Sequence, residues 1–171
     1  LRGNPGGLVN ETINAVSAFI NEGVVFQERE RDATPLDVNV DPGRAYDTER
    51  PVVVLVDYGT ASSGEIVAAA LRDNDRATIV GEQTFGTGTI LNTLRLSDQS
   101  ALRLGVREWL TPEGEGIFRV GLTPDEEVVL PVGGARLGPA DLLTLTPVEF
   151  ETSDDVPLRH AVRLAEAESR S

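Results

Sequence analysis

A pair of adjacent serines at a sharp turn is the first feature of this 171-residue sequence that could carry chemistry. Ser62 and Ser63 follow Val52–Val56, a short apolar run that is typical of a strand buried on both faces. They precede Ile66–Leu71, a stretch of strong helix formers. A strand-turn-helix junction of this kind can project a nucleophilic hydroxyl beside backbone N–H groups and the positive end of the helix dipole. The alternative is an ordinary N-cap, in which a Ser hydroxyl accepts hydrogen bonds from the first N–H groups of the helix.

Two glycine-rich loops flank this junction in the chain. Leu1–Gly7 reads as the end of a strand that runs into a tight turn, where adjacent glycines present bare N–H groups to a ligand. The alternative for this segment is a plain strand-to-helix turn. Glu82–Gly88 forms the second glycine-rich loop and follows Arg76–Gly81, a short predicted strand.

The elements that must position these loops predict an α/β fold. Two strands flanking a helix make a βαβ unit, which indicates parallel strands. Thr89–Leu96 and Ala101–Leu110 alternate apolar and polar residues, which predicts a β-hairpin with one buried face. The remaining predictions are a helix at Leu8–Ile20, short strands at Gly23–Phe26, Ile117–Val120 and Val128–Leu130, an irregular stretch at Val132–Phe150, a final helix at Val156–Ala167, and a charged surface excursion over 27–50 that includes a short strand at Leu36–Val40.

Composition limits the function classes. The net charge of −13 argues against nucleic acid, because binding it depends on Lys and Arg neutralising phosphates. No run of 18 apolar residues is present, so the sequence predicts no membrane span. The chain has no Cys, and all 15 of its basic residues are Arg. Nothing in the chain can therefore act as a neutral-amine general base, since Arg does not deprotonate in proteins.

Two residue types that occur only once, Trp and His, are also candidates for functional residues. Trp109, the only Trp, is interpreted as a core or rim anchor rather than a substrate platform. His160, the only His, lies on the predicted final helix and is interpreted as a surface or packing residue rather than a catalytic base. No His/Cys cluster, P-loop or dinucleotide fingerprint occurs, so we expect neither a metal nor a cofactor.

Six segments in order resemble the C-terminal processing peptidases, a family of S41 serine peptidases with a ClpP/crotonase-like core. The resemblance covers nearly the whole chain. The segments are Leu1–Leu8, similar to the family's LR-x-NPGGL loop; Thr60–Ile66, similar to its SASASEI nucleophile segment; Gly81–Gly88, similar to GE-x-TFGKG; Leu96–Leu102 and Trp109–Gly114, similar to its hairpin and YTP-x-G turn; and Gly121–Asp125, similar to GITPD.

The resemblance implies a ClpP/crotonase-like core of ββα units with a mixed sheet, a β-hairpin and a C-terminal helix. It makes Ser62 the nucleophile, and it assigns the oxyanion hole to Gly6 or Gly7 together with Ser63. Residues 1–171 would form the catalytic core of a longer protein that carries a PDZ domain. The substrate would be a polypeptide or a peptide C-terminus, and an oligomer is compatible with the family. Export across the bacterial inner membrane, to a periplasmic or extracytoplasmic location, is also expected from the resemblance alone.

Two positions depart from the family pattern. The family's Lys base falls on Thr87, and its supporting Gln falls on Leu91. A Thr hydroxyl is far too weak a base to deprotonate Ser at neutral pH, and Leu has no polar atom with which to orient a partner. The chain alone is therefore expected to be weak or inactive as a peptidase.

Three interpretations of these departures remain open. In the first, the general base lies outside the 171 residues, since the related tricorn-type branch uses a His from an earlier segment. In the second, the chain is a non-catalytic relative that binds a peptide or another ligand. In the third, Ser62 acts through the oxyanion hole alone, which leaves about 10³–10⁴-fold acceleration over water when triad members are lost.

Overall fold

Two β-sheets with helices packed against them make up the structure, a computed structural model that describes residues 1–170. The strands are β1 (Val24–Arg29), β2 (Leu36–Asn39), β3 (Val53–Val56), β4 (Thr78–Gly81), β5 (Thr89–Arg95), β6 (Ala101–Leu110) and β7 (Glu126–Glu127). The helices are α1 (Val9–Ser17), α2 (Ser63–Asp73), α3 (Pro139–Leu142), α4 (Pro147–Glu151) and α5 (Val156–Glu168). One sheet is antiparallel in the order β2-β1-β6-β5, and the other is parallel in the order β3-β4-β7. The prediction of an α/β fold is confirmed.

The βαβ unit that carries the serine turn is formed by β3, α2 and β4. Its two strands pair in parallel, with Val53 opposite Thr78 and Val56 opposite Gly81. Helix α2 contacts both β4 of the parallel sheet and β1 of the antiparallel sheet. Its residues 68–70 are all Ala and are fully buried, and such small side chains allow the helix backbone to approach both sheets closely. The predicted parallel pairing is confirmed. The serine turn therefore follows the carboxyl end of β3, at the same edge of the sheet as the carboxyl end of β4.

The hairpin of β5 and β6 is present, but the expectation of one buried face is wrong. Its strands pair from Thr89 opposite Glu108 to Arg95 opposite Ala101. Both faces are exposed over residues 91–106, and only the base of the hairpin, with Trp109 and Leu110, enters the core. The alternation of apolar residues therefore does not mark a core-facing side, because the hairpin extends beyond the elements that could cover it. Its half-exposed apolar side chains are Leu91, Leu94, Leu102, Leu104 and Val106.

Three further predictions of local structure are corrected. Residues 117–120 form a turn rather than a strand, since the Val120 and Gly121 amides both donate to the Ile117 carbonyl. The strand expected at Val128–Leu130 is replaced by the two-residue β7, which lies slightly earlier. The stretch from 132 to 150, expected to be irregular, contains α3 and α4, each of which has Pro in its first turn. Pro is favourable there because its missing N–H has no partner inside the helix.

The charged segment 27–50 is only partly a surface excursion. Its first residues continue β1 to Arg29, and Leu36–Asn39 form β2, an edge strand paired antiparallel to β1. The predicted short strand is confirmed. Among residues 1–170, no helix has the length and apolar character needed to cross a membrane.

Helix α5 is anchored at its N-terminus by the buried side chain of Asp155. The Asp155 carboxylate accepts the Leu158 amide as an N-cap at 3.1 Å and the Leu137 amide at 2.8 Å. Arg2 approaches the same carboxylate with two nitrogens at 2.7 and 2.8 Å, a bidentate pair. Burial by itself would raise the pKa of Asp155, but these hydrogen bonds outweigh it, so the pKa lies below its ordinary value. Asp155 therefore ties the first residues of the chain to its last helix.

The lowered pKa of Asp155 predicts a pH dependence of stability. A carboxyl group whose pKa is lower in the folded state stabilises the fold above its unfolded pKa of about 4, and this contribution is lost as the pH falls through the folded value. Asp155→Asn should lower the free energy of unfolding by about 2–3 kcal/mol at pH 7, since charge-assisted hydrogen bonds are lost. The difference between the two proteins, measured by urea unfolding, should narrow as the pH falls below about 4. A difference that stays constant from pH 7 to pH 2 would contradict this assignment.

Candidate active site

The turn after β3 places Ser62 in a strained backbone conformation. Ser62 has φ 53° and ψ −120°, a region that residues with a side chain seldom occupy. It occupies the N-cap position of α2, yet its amide rather than its hydroxyl makes the capping contact, by donating to Glu65 Oε2 at 2.8 Å. The hydroxyl is thus not committed to capping the helix. This geometry resembles the strained turn that presents a nucleophilic serine at the start of a helix.

Glu65 links the serine turn to the second glycine-rich loop. Its carboxylate is fully buried, and Oε2 accepts both the Ser62 amide and the Thr87 amide, the latter at 2.9 Å. Oε1 accepts the Gly86 amide at 2.7 Å and the Thr84 hydroxyl. One carboxylate oxygen is therefore shared by the backbone of residues 62 and 87, which makes them neighbours. Sequence reasoning missed Glu65, although Ser62-x-x-Glu65 has the spacing of a capping box and could have identified it.

The two positions that depart from the family pattern lie in different surroundings. Thr87 is half-buried beside the serine turn, and its carbonyl accepts the Trp109 indole N–H at 2.7 Å. Leu91 lies farther along β5, opposite Gly105, and is about half exposed. Trp109 is a buried core residue, as expected, and it also holds the loop that carries Thr87. The structure brings Thr87 to Ser62, whereas Leu91 contributes only an apolar side chain at an edge strand.

The first glycine loop lies directly against Ser62. Gly6 has φ +107°, and a Cβ atom built on it would lie 2.7 Å from the Cβ of Ser62. Only Gly fits this position, because any side chain would collide with the serine. The Gly6 amide already donates to Asn4 Oδ1 at 3.0 Å, and the Asn4 carbonyl accepts the Ala61 amide at 2.9 Å. Asn4 thus fastens the glycine loop to the residue that precedes Ser62.

The amides of Gly7 and Ser63 differ from that of Gly6. Within residues 1–170 neither donates to a protein acceptor, so both are available to a bound ligand. The Ser63 hydroxyl donates to the Gly7 carbonyl at 3.0 Å and holds these two residues together. The geometry therefore favours Gly7 over Gly6 as the partner of Ser63 in an anion-binding pair of N–H groups.

Asp57, at the end of β3, anchors the start of the glycine loop. Its buried Oδ1 accepts the Gly3 amide at 2.9 Å and the Gly59 amide at 2.8 Å. Its other oxygen lies 2.7 Å from Nη1 of Arg136, which comes from the C-terminal part of the chain. No motif in the sequence signals this pair, because its members are far apart in the chain and neither belongs to a recognisable pattern.

Other side chains near the site are apolar or distant from it. The rings of Tyr58 and Phe85 lie 5.4 Å apart, centroid to centroid, on the exposed surface beside the serine turn. His160 forms a half-exposed pair with Glu126 of β7 and makes no described contact with Ser62. Its interpretation as a packing or surface residue agrees with this placement. Within residues 1–170, no three His, Asp or Glu side chains converge as a metal site requires.

Comparison with known proteins supports the same resemblance. The family model described as peptidase family S41 matches residues 1–128. A carboxyl-terminal-processing protease of Synechocystis is 36% identical over 156 residues, which cover 91% of this chain and 35% of that protein. A carboxy-terminal-processing protease of Bartonella bacilliformis is 42% identical over 135 residues, which cover 77% of this chain and 30% of that protein.

A solved structure shares the fold as well as the sequence similarity. The photosystem II D1 C-terminal processing protease matches with a TM-score of 0.71 and 35% identity, over 76% of this chain and 34% of that chain. This chain therefore spans about a third of the length of these relatives. With the family model covering most of its residues, the chain belongs to peptidase family S41.

Proposed function

We propose that this chain is a serine peptidase core in which Ser62 is the nucleophile and the Gly7 and Ser63 amides bind the oxyanion. In that reaction, Ser62 Oγ attacks the carbonyl carbon of a peptide bond, and the carbonyl oxygen becomes negatively charged. Two N–H groups directed at that oxygen stabilise the charge as it develops. The availability of these two amides next to the strained Ser62 turn supports the proposal.

We further propose that the 171-residue chain by itself has little or no peptidase activity. The observation that carries this proposal is that Thr87 lies next to Ser62, because the amides of both residues donate to Glu65 Oε2. The serine proton must pass to a base as Oγ attacks, and a Thr hydroxyl does not accept a proton at neutral pH. Leu91 adds no polar group, and no Lys exists in the chain to replace the missing amine.

Activity assays on the wild-type chain and on Ser62→Ala test this proposal. Both proteins should cleave an unfolded polypeptide at indistinguishable rates, at most about 10³–10⁴-fold above the uncatalysed rate in water, which is the residual that an oxyanion hole and substrate binding supply. Mass spectrometry of the products over several hours at pH 7.5 detects either result. Rapid cleavage that disappears in Ser62→Ala would contradict the proposal of inactivity and would show that a base is present in this chain.

A non-catalytic binding function is the second candidate. The exposed Tyr58–Phe85 surface beside the serine turn favours it, because aromatic side chains offer contact area to an apolar peptide. In this case wild type and Ser62→Ala should bind a peptide with equal affinity in isothermal titration calorimetry. Loss of affinity in Tyr58→Ala, with no cleavage by either protein, would favour binding over catalysis.

A further inference from the structure

The part of the chain that follows the family match makes direct contact with the glycine loop. We define the glycine loop as residues 1–7 and the C-terminal segment as residues 129–170, since the family model ends at residue 128. One Arg–Asp pair joins them directly, and a second joins them through Asp57. Arg2 of the glycine loop pairs with Asp155 of the C-terminal segment. Arg136 of the C-terminal segment pairs with Asp57, the residue that binds Gly3. These paired contacts are unlike scattered surface ion pairs, because both carboxylates are buried.

The burial of the two carboxylates makes their Arg partners consequential. The side chains of Asp57 and Asp155 are 3% and 0% exposed. A buried charge left without its partner is costly, whereas an exposed pair contributes little. Removing either Arg is therefore expected to displace the carboxylate it neutralises, or the backbone that this carboxylate holds.

A short chain of contacts carries that displacement to the reacting atoms. Asp57 holds the Gly3 amide, and the next residue, Asn4, binds Ala61 through its carbonyl and Gly6 through its side chain. Gly6 packs against Ser62 so closely that a Cβ atom there would lie 2.7 Å from the Cβ of the serine. A shift of Gly3 is therefore transmitted to the position of Gly7 relative to Ser62.

We propose that Arg136 and Asp155 are positioning residues that clamp the glycine loop and thereby align the Gly7 amide with Ser62. The C-terminal segment then serves the active site without contributing a group that touches the substrate. This inference rests on the proposed oxyanion role of Gly7, and it adds a device outside the residues that match the family model. Since an oxyanion hole depends on its donors lying within about 2.7–3.1 Å of the oxyanion, a small movement of the loop is enough to weaken it.

Amide hydrogen exchange tests the clamp without any need for activity. In Arg136→Gln, exchange at Gly3, Asn4 and Gly6 should accelerate about tenfold, because the buried Asp57 carboxylate that holds the Gly3 amide loses its ion-pair partner. Arg136→Lys, which keeps the charge, should recover part of the protection. Arg136 is half exposed, so these variants are expected to fold. Arg163→Gln is the matched control, because it breaks an exposed ion pair between α5 and Glu151 of α4 that does not involve the loop. Unchanged exchange in Arg136→Gln would overturn the clamp.

The rate at which a fluorophosphonate labels Ser62 tests whether the clamp affects catalysis. In a Thr87→Lys, Leu91→Gln background, a fluorophosphonate places its phosphoryl oxygen where the oxyanion would lie. Arg136→Gln should lower the limiting rate of labelling about tenfold, with little change in the half-saturating probe concentration, since the loop aligns the reaction rather than binds the probe. Asp155→Asn should act in the same direction, and Arg163→Gln should not.

The two measurements separate the clamp from the proposed function. Absence of Ser62 labelling in the starting background would contradict the nucleophile assignment, while hydrogen exchange would still decide whether the clamp exists. Faster exchange with an unchanged limiting rate of labelling would overturn the positioning role. Slower labelling and faster exchange together, both restored in part by Arg136→Lys, would support the full inference.

Discussion

Thr87→Lys combined with Leu91→Gln is expected to increase the rate at which Ser62 reacts with a fluorophosphonate by about 10²–10⁴-fold, the contribution of a positioned general base. The reason is geometric. The Thr87 amide shares Glu65 Oε2 with the Ser62 amide, so the backbone of position 87 lies close enough to the serine for a side chain as long as Lys to span the gap. A neutral Lys amine there can accept the serine proton as Oγ attacks phosphorus and fluoride leaves.

The reactivity of this double variant should increase with pH. Only the neutral amine is a base, and Lys has an ordinary pKa of about 10.4, which partial burial lowers. Labelling rates measured by mass spectrometry from pH 6 to pH 10 should therefore rise as the Lys loses its proton and then level off. Adding Ser62→Ala should abolish labelling at every pH.

Thr87→Arg, also with Leu91→Gln, is the matched control for charge. Arg provides a cation of similar length at the same position but does not deprotonate in proteins. It should therefore leave labelling close to the wild-type rate. Equal acceleration by Lys and Arg, in variants with unchanged circular dichroism and thermal unfolding, would show that position 87 does not hold the base.

Glu65→Gln is expected to lower the free energy of unfolding by about 3–5 kcal/mol, equivalent to disrupting two charge-assisted hydrogen bonds. Each oxygen of the buried carboxylate accepts two donors, so a Gln amide cannot satisfy both sides. In either orientation its NH₂ group would face a backbone N–H. The change removes no volume, and its effect would therefore report hydrogen bonding rather than packing.

Urea unfolding of Glu65→Gln and of an exposed control gives the comparison. Glu22→Gln makes the same chemical change at an exposed position and should alter stability by less than about 0.5 kcal/mol. If Glu65→Gln were as stable as Glu22→Gln, the hydrogen bonds of the Glu65 carboxylate would not be what holds the serine turn against the loop that carries Thr87.

The local patterns of this sequence determine much of its fold. The apolar run before Ser62 and the small helical residues after it predict a strand, a turn and a helix, and all three form. Order and spacing of the six family-like segments identify the family, and from that resemblance Ser62 is predicted to be the nucleophile. The chemistry of Thr87 and Leu91, and the lack of any Lys, also follow from residue identity alone.

Errors arise where burial depends on neighbours that are distant in the chain. The hairpin has the alternating pattern of a half-buried sheet, yet it is exposed on both faces because no other described element covers it. Residues 117–120 have strand-like composition, yet they form a turn packed against Gly86, on which a Cβ atom would lie 2.8 Å from the Gly121 nitrogen. Local propensity is weak compared with such tertiary contacts.

In the candidate site, too, some features follow from residue identity and others from tertiary contacts. Sequence by itself determines which residue types are available: a serine at a sharp turn, a nearby glycine-rich segment, and no side-chain amine to serve as base. Only the tertiary structure decides that the Gly6 amide is occupied by Asn4, that Glu65 joins residues 62 and 87, and that Arg136 reaches Asp57. The physical reason is that hydrogen bonds and ion pairs between distant segments depend on how the chain is folded, whereas the chemistry of a side chain does not.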